Sequence, residues 1–183
     1  MKADLLKYKS VVHFVVVFLI VYIALTYGYK TYLDLSDGTT FYPDYITHIV
    51  AKQSAYIIDA FGYQAEVFPH PDEPSMKLLV NSKFVARIVE GCNAVSVIIL
   101  FVSFVVAFTG RFKETLIYVG LGSVLIYVVN IIRIAIITIG LYRFPRKTDL
   151  LHDVIFPLII YGMVFILWMF WVNRFSKKPQ MNE

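Results

Sequence analysis

The sequence predicts an all-α integral membrane protein of about four transmembrane helices, with a small α+β extracytoplasmic insertion between the first two. Three observations carry this. Of its 183 residues, 58% are hydrophobic, against about 45–50% in soluble domains. The mean hydropathy is +0.68. Several apolar runs approach or exceed the roughly 18–20 residues that cross a bilayer. The net charge of +4 does not call for nucleic acid, because the basic residues cluster beside apolar runs, where lysine and arginine set topology. One cysteine excludes a disulfide framework within the chain and a multi-thiolate metal site. Nothing in the sequence demands a metal or other cofactor.

Residues 1–29 are a short basic N-terminus followed by the first apolar run, residues 11–29. That run is long for a signal-peptide core and no small-x-small cleavage site follows, so it reads as an uncleaved span with its N-terminus inside. His13, at its edge, reads as an interfacial residue. Residues 30–90 are the one sizeable polar region, and acidic residues outnumber basic ones there, which suits the outer side. A helix is expected over residues 43–61, capped by Asp44, with Tyr45, Ile49, Tyr56 and Ala60 roughly on one face. Strands are expected over 63–68, 76–80 and 83–89. The last two flank Asn81-Ser82, a hairpin signal, and Pro69, Pro71 and Pro74 occupy the loop before them.

Residues 91–172 form a core of three further apolar runs. The second run covers 92–108 and ends in a loop with Arg111 and Lys113. The third, 115–141, is longer than one crossing needs and carries Asn130 and Arg133 inside it; a bend near Gly140 would absorb the excess. A polar loop with Arg143, Arg146 and Lys147 leads to the fourth run, 152–172. The tail, 173–183, is basic. Four spans put both termini on one side, and the basic N-terminus, the Arg111/Lys113 loop and the tail make it the cytoplasmic side. The Arg143-Arg146-Lys147 cluster then lies outside, against the rule.

This topology gathers three reactive residues at the outer leaflet. Cys92 is at the outer end of the second run and His152 at the outer end of the fourth. Arg133 lies about 27 Å along the third by helical rise, near the outer edge of a hydrocarbon layer about 30 Å thick. A thiolate is the nucleophile among them, and a nearby cation favours it. His152 suits proton transfer, and Arg133, always charged, suits an oxyanion. Asn130 shares nearly one face with Arg133. Asn130, and Asn93 beside the cysteine, are candidates for orienting the site or binding substrate. Singly, the cysteine reads as apolar filler and the histidine as interfacial. A charge inside an apolar run is a functional candidate by default, and the coincidence of all three points to acyl transfer.

The Cys92 segment before an apolar helix, the Asn130-Ile-Ile-Arg133 segment and the His152 that opens the next apolar helix together resemble the exosortase/archaeosortase family, most of all the short exosortase F-like branch of Bacteroidetes. The likeness covers about half the chain. It implies a cysteine protease or transpeptidase of the cytoplasmic (inner) membrane, with its active site outside and Cys92, Arg133 and His152 as the catalytic set. The implied partners are C-terminal sorting tails of secreted proteins and an envelope acceptor such as a lipid or a glycan, besides membrane lipids. Many members of the family carry Ser-Gly or a similar small pair after the cysteine; here it is Asn93-Ala94. The competing expectation is a non-catalytic membrane scaffold of an envelope-assembly or secretion machine, suggested by the polar outer region. A transporter has less support, since no inverted repeat is visible.

Overall fold

The structure is a computed structural model that describes residues 2–36, 38–108, 110–145 and 154–175. The chain runs α1 (Lys2–Leu35), α2 (Tyr45–Ala60), β1 (Ala65–Pro69), β2 (Met76–Val80), β3 (Lys83–Ile88), a 3-10 turn (Glu90–Cys92), α3 (Val95–Ala107), α4 (Phe112–Arg143) and α5 (Phe156–Phe175).

Among the described residues, three helical segments are long and apolar enough to cross a membrane: Tyr8–Leu35, Phe112–Arg143 and Pro157–Arg174. The second apolar run departs from expectation. It forms a helix of 13 residues, about 20 Å long, shorter than a hydrocarbon layer of about 30 Å. Its first residues are taken by the 3-10 turn and by Ala94, whose left-handed backbone delays the helix to Val95. The helix does not break at Gly140, and α4 continues through it to Arg143.

One half of the bundle is an aromatic and aliphatic core of α3, α4 and α5, built on Phe101, Val105, Ile126, Ile160, Val164 and Trp171. Phe104 of α3 stacks on Trp168 at 4.3 Å between centroids. Tyr118 donates to the Leu167 carbonyl at 2.8 Å, tying α4 to α5. α1 lies outside this core. Phe14 packs on Phe104 and Phe108, but no residue of its apolar window is buried inside the protein. Lipid is the natural solvent for such a face.

The polar region folds onto the far half of α4. β1, β2 and β3 make an antiparallel sheet in that order, and α2 lies against it and against α4. Val50, Ala51, Ala55 and Ile58 of α2 share one core with Met76, Leu78, Val80 and Ile88 of the sheet and Ile134 and Ala135 of α4. Asp44 caps α2 as expected, accepting from the Ile46 and Thr47 amides at 3.0 Å each. The buried face of α2 is Thr47, Val50, Ala51, Ser54, Ala55 and Ile58. It is not the face of Tyr45 and Tyr56, which are exposed. Small and hydroxyl residues let α2 approach its neighbours closely. The hairpin turn is Asn81-Ser82, with φ of 50° and 63°, the left-handed pair that a type I′ turn requires. Asn81 also donates to the Tyr142 hydroxyl at 3.1 Å, and Arg143 donates to Tyr63 and sits over its ring at 5.5 Å. The sheet is thereby pinned to the end of α4, which supplies a structural reason for one member of the outer basic cluster. Arg146 and Lys147 lie outside the described residues.

α3 can lie close to α4 because position 122 is glycine. A β-carbon there would overlap the ring of Phe101, which is fully buried. Gly122→Ala is therefore expected to lower stability by about 1–3 kcal/mol, the usual cost of overpacking. Gly120 faces open space, so Gly120→Ala should be neutral or slightly stabilising. Thermal unfolding of both variants in detergent checks the contrast.

Candidate active site

The site is built on the link between the sheet and α3. β3 ends at Ile88, and the chain then folds into the 3-10 turn. The Cys92 amide donates to the Val89 carbonyl at 2.8 Å and the Asn93 amide to the Glu90 carbonyl at 3.1 Å. Cys92 closes the turn, half-buried and packed against the outer core. Ala94 follows with φ of 68°, a conformation that costs an L-residue roughly 1–2 kcal/mol. It reverses the chain out of the turn and into α3.

Asn93 offsets that cost. It is 1% exposed, and its side chain is fully engaged. Nδ2 donates to the Tyr29 hydroxyl at 2.7 Å and to Thr47 Oγ1 at 3.1 Å, while Oδ1 accepts from the Val95 amide at 3.0 Å. One amide thus joins α1, α2 and the first turn of α3 around the cysteine. Neither Tyr29 nor Thr47 was singled out from sequence, because each lies in an ordinary helical context.

α4 supplies the opposite wall. Asn130 is buried, and its Nδ2 donates to the Cys92 carbonyl at 2.8 Å. Its Oδ1 is buried with no hydrogen-bond partner among the described residues. Arg133, nearly one turn further on, is 4% exposed. Cys92 and Tyr161 of α5 both lie within electrostatic reach of its guanidinium. Four of the five residues proposed from sequence, Cys92, Asn93, Asn130 and Arg133, therefore meet at one place. The fifth, His152, lies outside the described residues; α5, which the sequence predicts it to open, is described from Phe156.

A model of the transmembrane exosortase family (Exosortase_EpsH) matches residues 5–172. The chain belongs to that family. No curated protein and no solved structure matches it significantly. Exosortases are membrane proteins of cysteine peptidase and transpeptidase type, and the match spans the polar region, residues 30–90, as well as the helices. Ala94 is a place where this chain takes φ above zero, which glycine adopts freely.

Two substitutions test the turn. Asn130→Ala removes the donor to the Cys92 carbonyl, and leaving such an acceptor unpaired costs about 1–3 kcal/mol. A lower Tm and faster maleimide labelling of Cys92 are expected. At position 94, glycine should preserve or raise the Tm, whereas Ala94→Val should lower it, because β-branched residues tolerate left-handed backbone worst.

Proposed function

We propose that this exosortase cleaves the C-terminal sorting signal of secreted proteins on the outer side of the cytoplasmic membrane and transfers the new C-terminus to an envelope acceptor. The observation that carries the reading is the arrangement at α4: an arginine buried within an apolar helix, one turn from an asparagine that holds the carbonyl of the chain's single cysteine. Burial of a guanidinium is costly, and it is found where function uses it.

In this reading the apolar helix of the substrate lies laterally against the bundle, and the peptide bond before it reaches Cys92. The sulfur attacks the carbonyl carbon as His152 takes the thiol proton. The tetrahedral oxyanion is stabilised by Arg133. The C–N bond breaks, His152 returns its proton to the departing amine, and a thioester to Cys92 remains. An amine or hydroxyl of the acceptor, deprotonated by His152, displaces Cys92 and restores the thiol; water in its place gives hydrolysis. The free Asn130 Oδ1 is suited to accept an N–H of the bound peptide. The position of His152 rests on the sequence alone, at the start of the last apolar run.

Depth supports the geometry. Arg133 lies about 32 Å beyond Phe112 by helical rise, so a bilayer that begins near Phe112 ends near the site.

Cys92→Ala should abolish processing of a secreted protein with a C-terminal helix and basic tail. Arg133→Lys, which keeps the charge but loses the fork geometry, should lower the rate about 100-fold, as losing an oxyanion donor does. Mass spectrometry of wild type should find a substrate fragment on Cys92. Unchanged processing in Cys92→Ala would move the weight to the scaffold reading.

A further inference from the structure

A second polar feature adjoins the turn, on the side of the sheet. Glu73, Pro74, Ser75, Arg87, Val89, Glu90 and Gly91 line a groove of about 390 Å³. Glu90 and Gly91 are the two residues before Cys92, so the groove borders the nucleophile. Two observations mark it as more than surface relief. The Ser75 side chain is fully buried, and its hydroxyl has no hydrogen-bond partner; native structures seldom leave such a group unmatched unless something else satisfies it. Charge in the groove is also unbalanced. Arg87 is committed to Glu73 at 2.6 Å, whereas the exposed Glu90 carboxylate has neither ion pair nor hydrogen bond among the described residues. One guanidinium faces two carboxylates.

We infer that this groove is the specificity subsite for the protein substrate, and that it takes a lysine or arginine side chain from the residues just outside the scissile bond. The inference rests on the transpeptidase reading. β3 runs down to the Cys92 turn, so a substrate descending toward its own membrane helix passes the groove before its scissile carbonyl reaches the sulfur. Each residue of extended chain advances about 3.3–3.6 Å, which brings the first one or two outside residues opposite Glu90 and Gly91. The Glu90 carboxylate pairs with the cationic end of the side chain. On binding, the Ser75 side chain turns outward and its hydroxyl pairs with the substrate's peptide group, which relieves its unmatched burial. The Val89 and Pro74 surfaces carry the aliphatic stem, as long basic side chains favour.

The test uses the full chain in proteoliposomes. The probe is a library of peptides, each with a randomised stretch, an apolar helix of about 20 residues and a basic tail, with cleavage read by mass spectrometry. Wild type should prefer a basic residue over an acidic one near the scissile bond by about tenfold, the scale of one charge-assisted hydrogen bond. Glu90→Lys should invert the preference, Glu90→Gln should flatten it, and Ser75→Ala should slow cleavage of all members while leaving the charge preference in place. Folding of each variant is checked by its Tm. Cleavage with a preference that ignores Glu90→Lys overturns the subsite and leaves the transpeptidase standing. A charge swap that spares cleavage but changes transfer to added amines would assign the groove to the acceptor and overturn the substrate assignment. Failure of wild type to cleave any member, with Cys92 unmodified, would bring down both readings.

Discussion

A helix of 32 residues rises about 48 Å, and a hydrocarbon layer takes only about 30 Å of it. The rest of the structure depends on where α4 spends the difference. Its first half packs with α3 and α5 in the apolar core. Its second half stands above that core and becomes a structural post, with Ile134 and Ala135 in the outer core and Tyr142 and Arg143 clasping the sheet. Asn130 and Arg133 sit where one half gives way to the other. A guanidinium is tolerated there because deep apolar packing lies on one side and the polar region on the other.

The cysteine is held from three directions at that level. Asn130 binds its carbonyl from α4. Asn93 binds α1, α2 and the start of α3. The outer core packs beside it. A left-handed alanine persists only where its surroundings over-determine it, and these bonds do so. The backbone around Cys92 is fastened by these bonds, and the residue itself is half-buried.

Much of this was legible in the sequence. The three long apolar helices follow from hydropathy. The Asp44 cap and the Asn81-Ser82 turn follow from local chemistry that tertiary packing did not override. The meeting of Cys92 with Arg133 followed from counting helical rise along an antiparallel pair. What escaped was set by contacts between segments. The inward face of α2 was misread because Thr47, Ser54, Ala51 and Ala55 look unremarkable until a neighbour comes close. The second run was read as a full span because composition does not reveal that Asn93 and Ala94 break its start. Tyr29 and Thr47 carry no motif, and the Ser75 groove exists only after the sheet has formed. Sequence places His152 beside these groups; its position lies outside the described residues.

The outer core has one further consequence, in the order of synthesis. Val50, Ala51, Leu78 and Val80 leave the ribosome long before Ile134 and Ala135, yet they are buried together. A sheet of three strands and one helix has no floor to rest on until α4 has been made after it. Contacts so distant in sequence form slowly, and apolar surface that waits is exposed to the wrong partners. Biogenesis of this protein is therefore a matter of timing: the layer around the sheet is completed only when α4 arrives, and the same event delivers Asn130 and Arg133 to the cysteine.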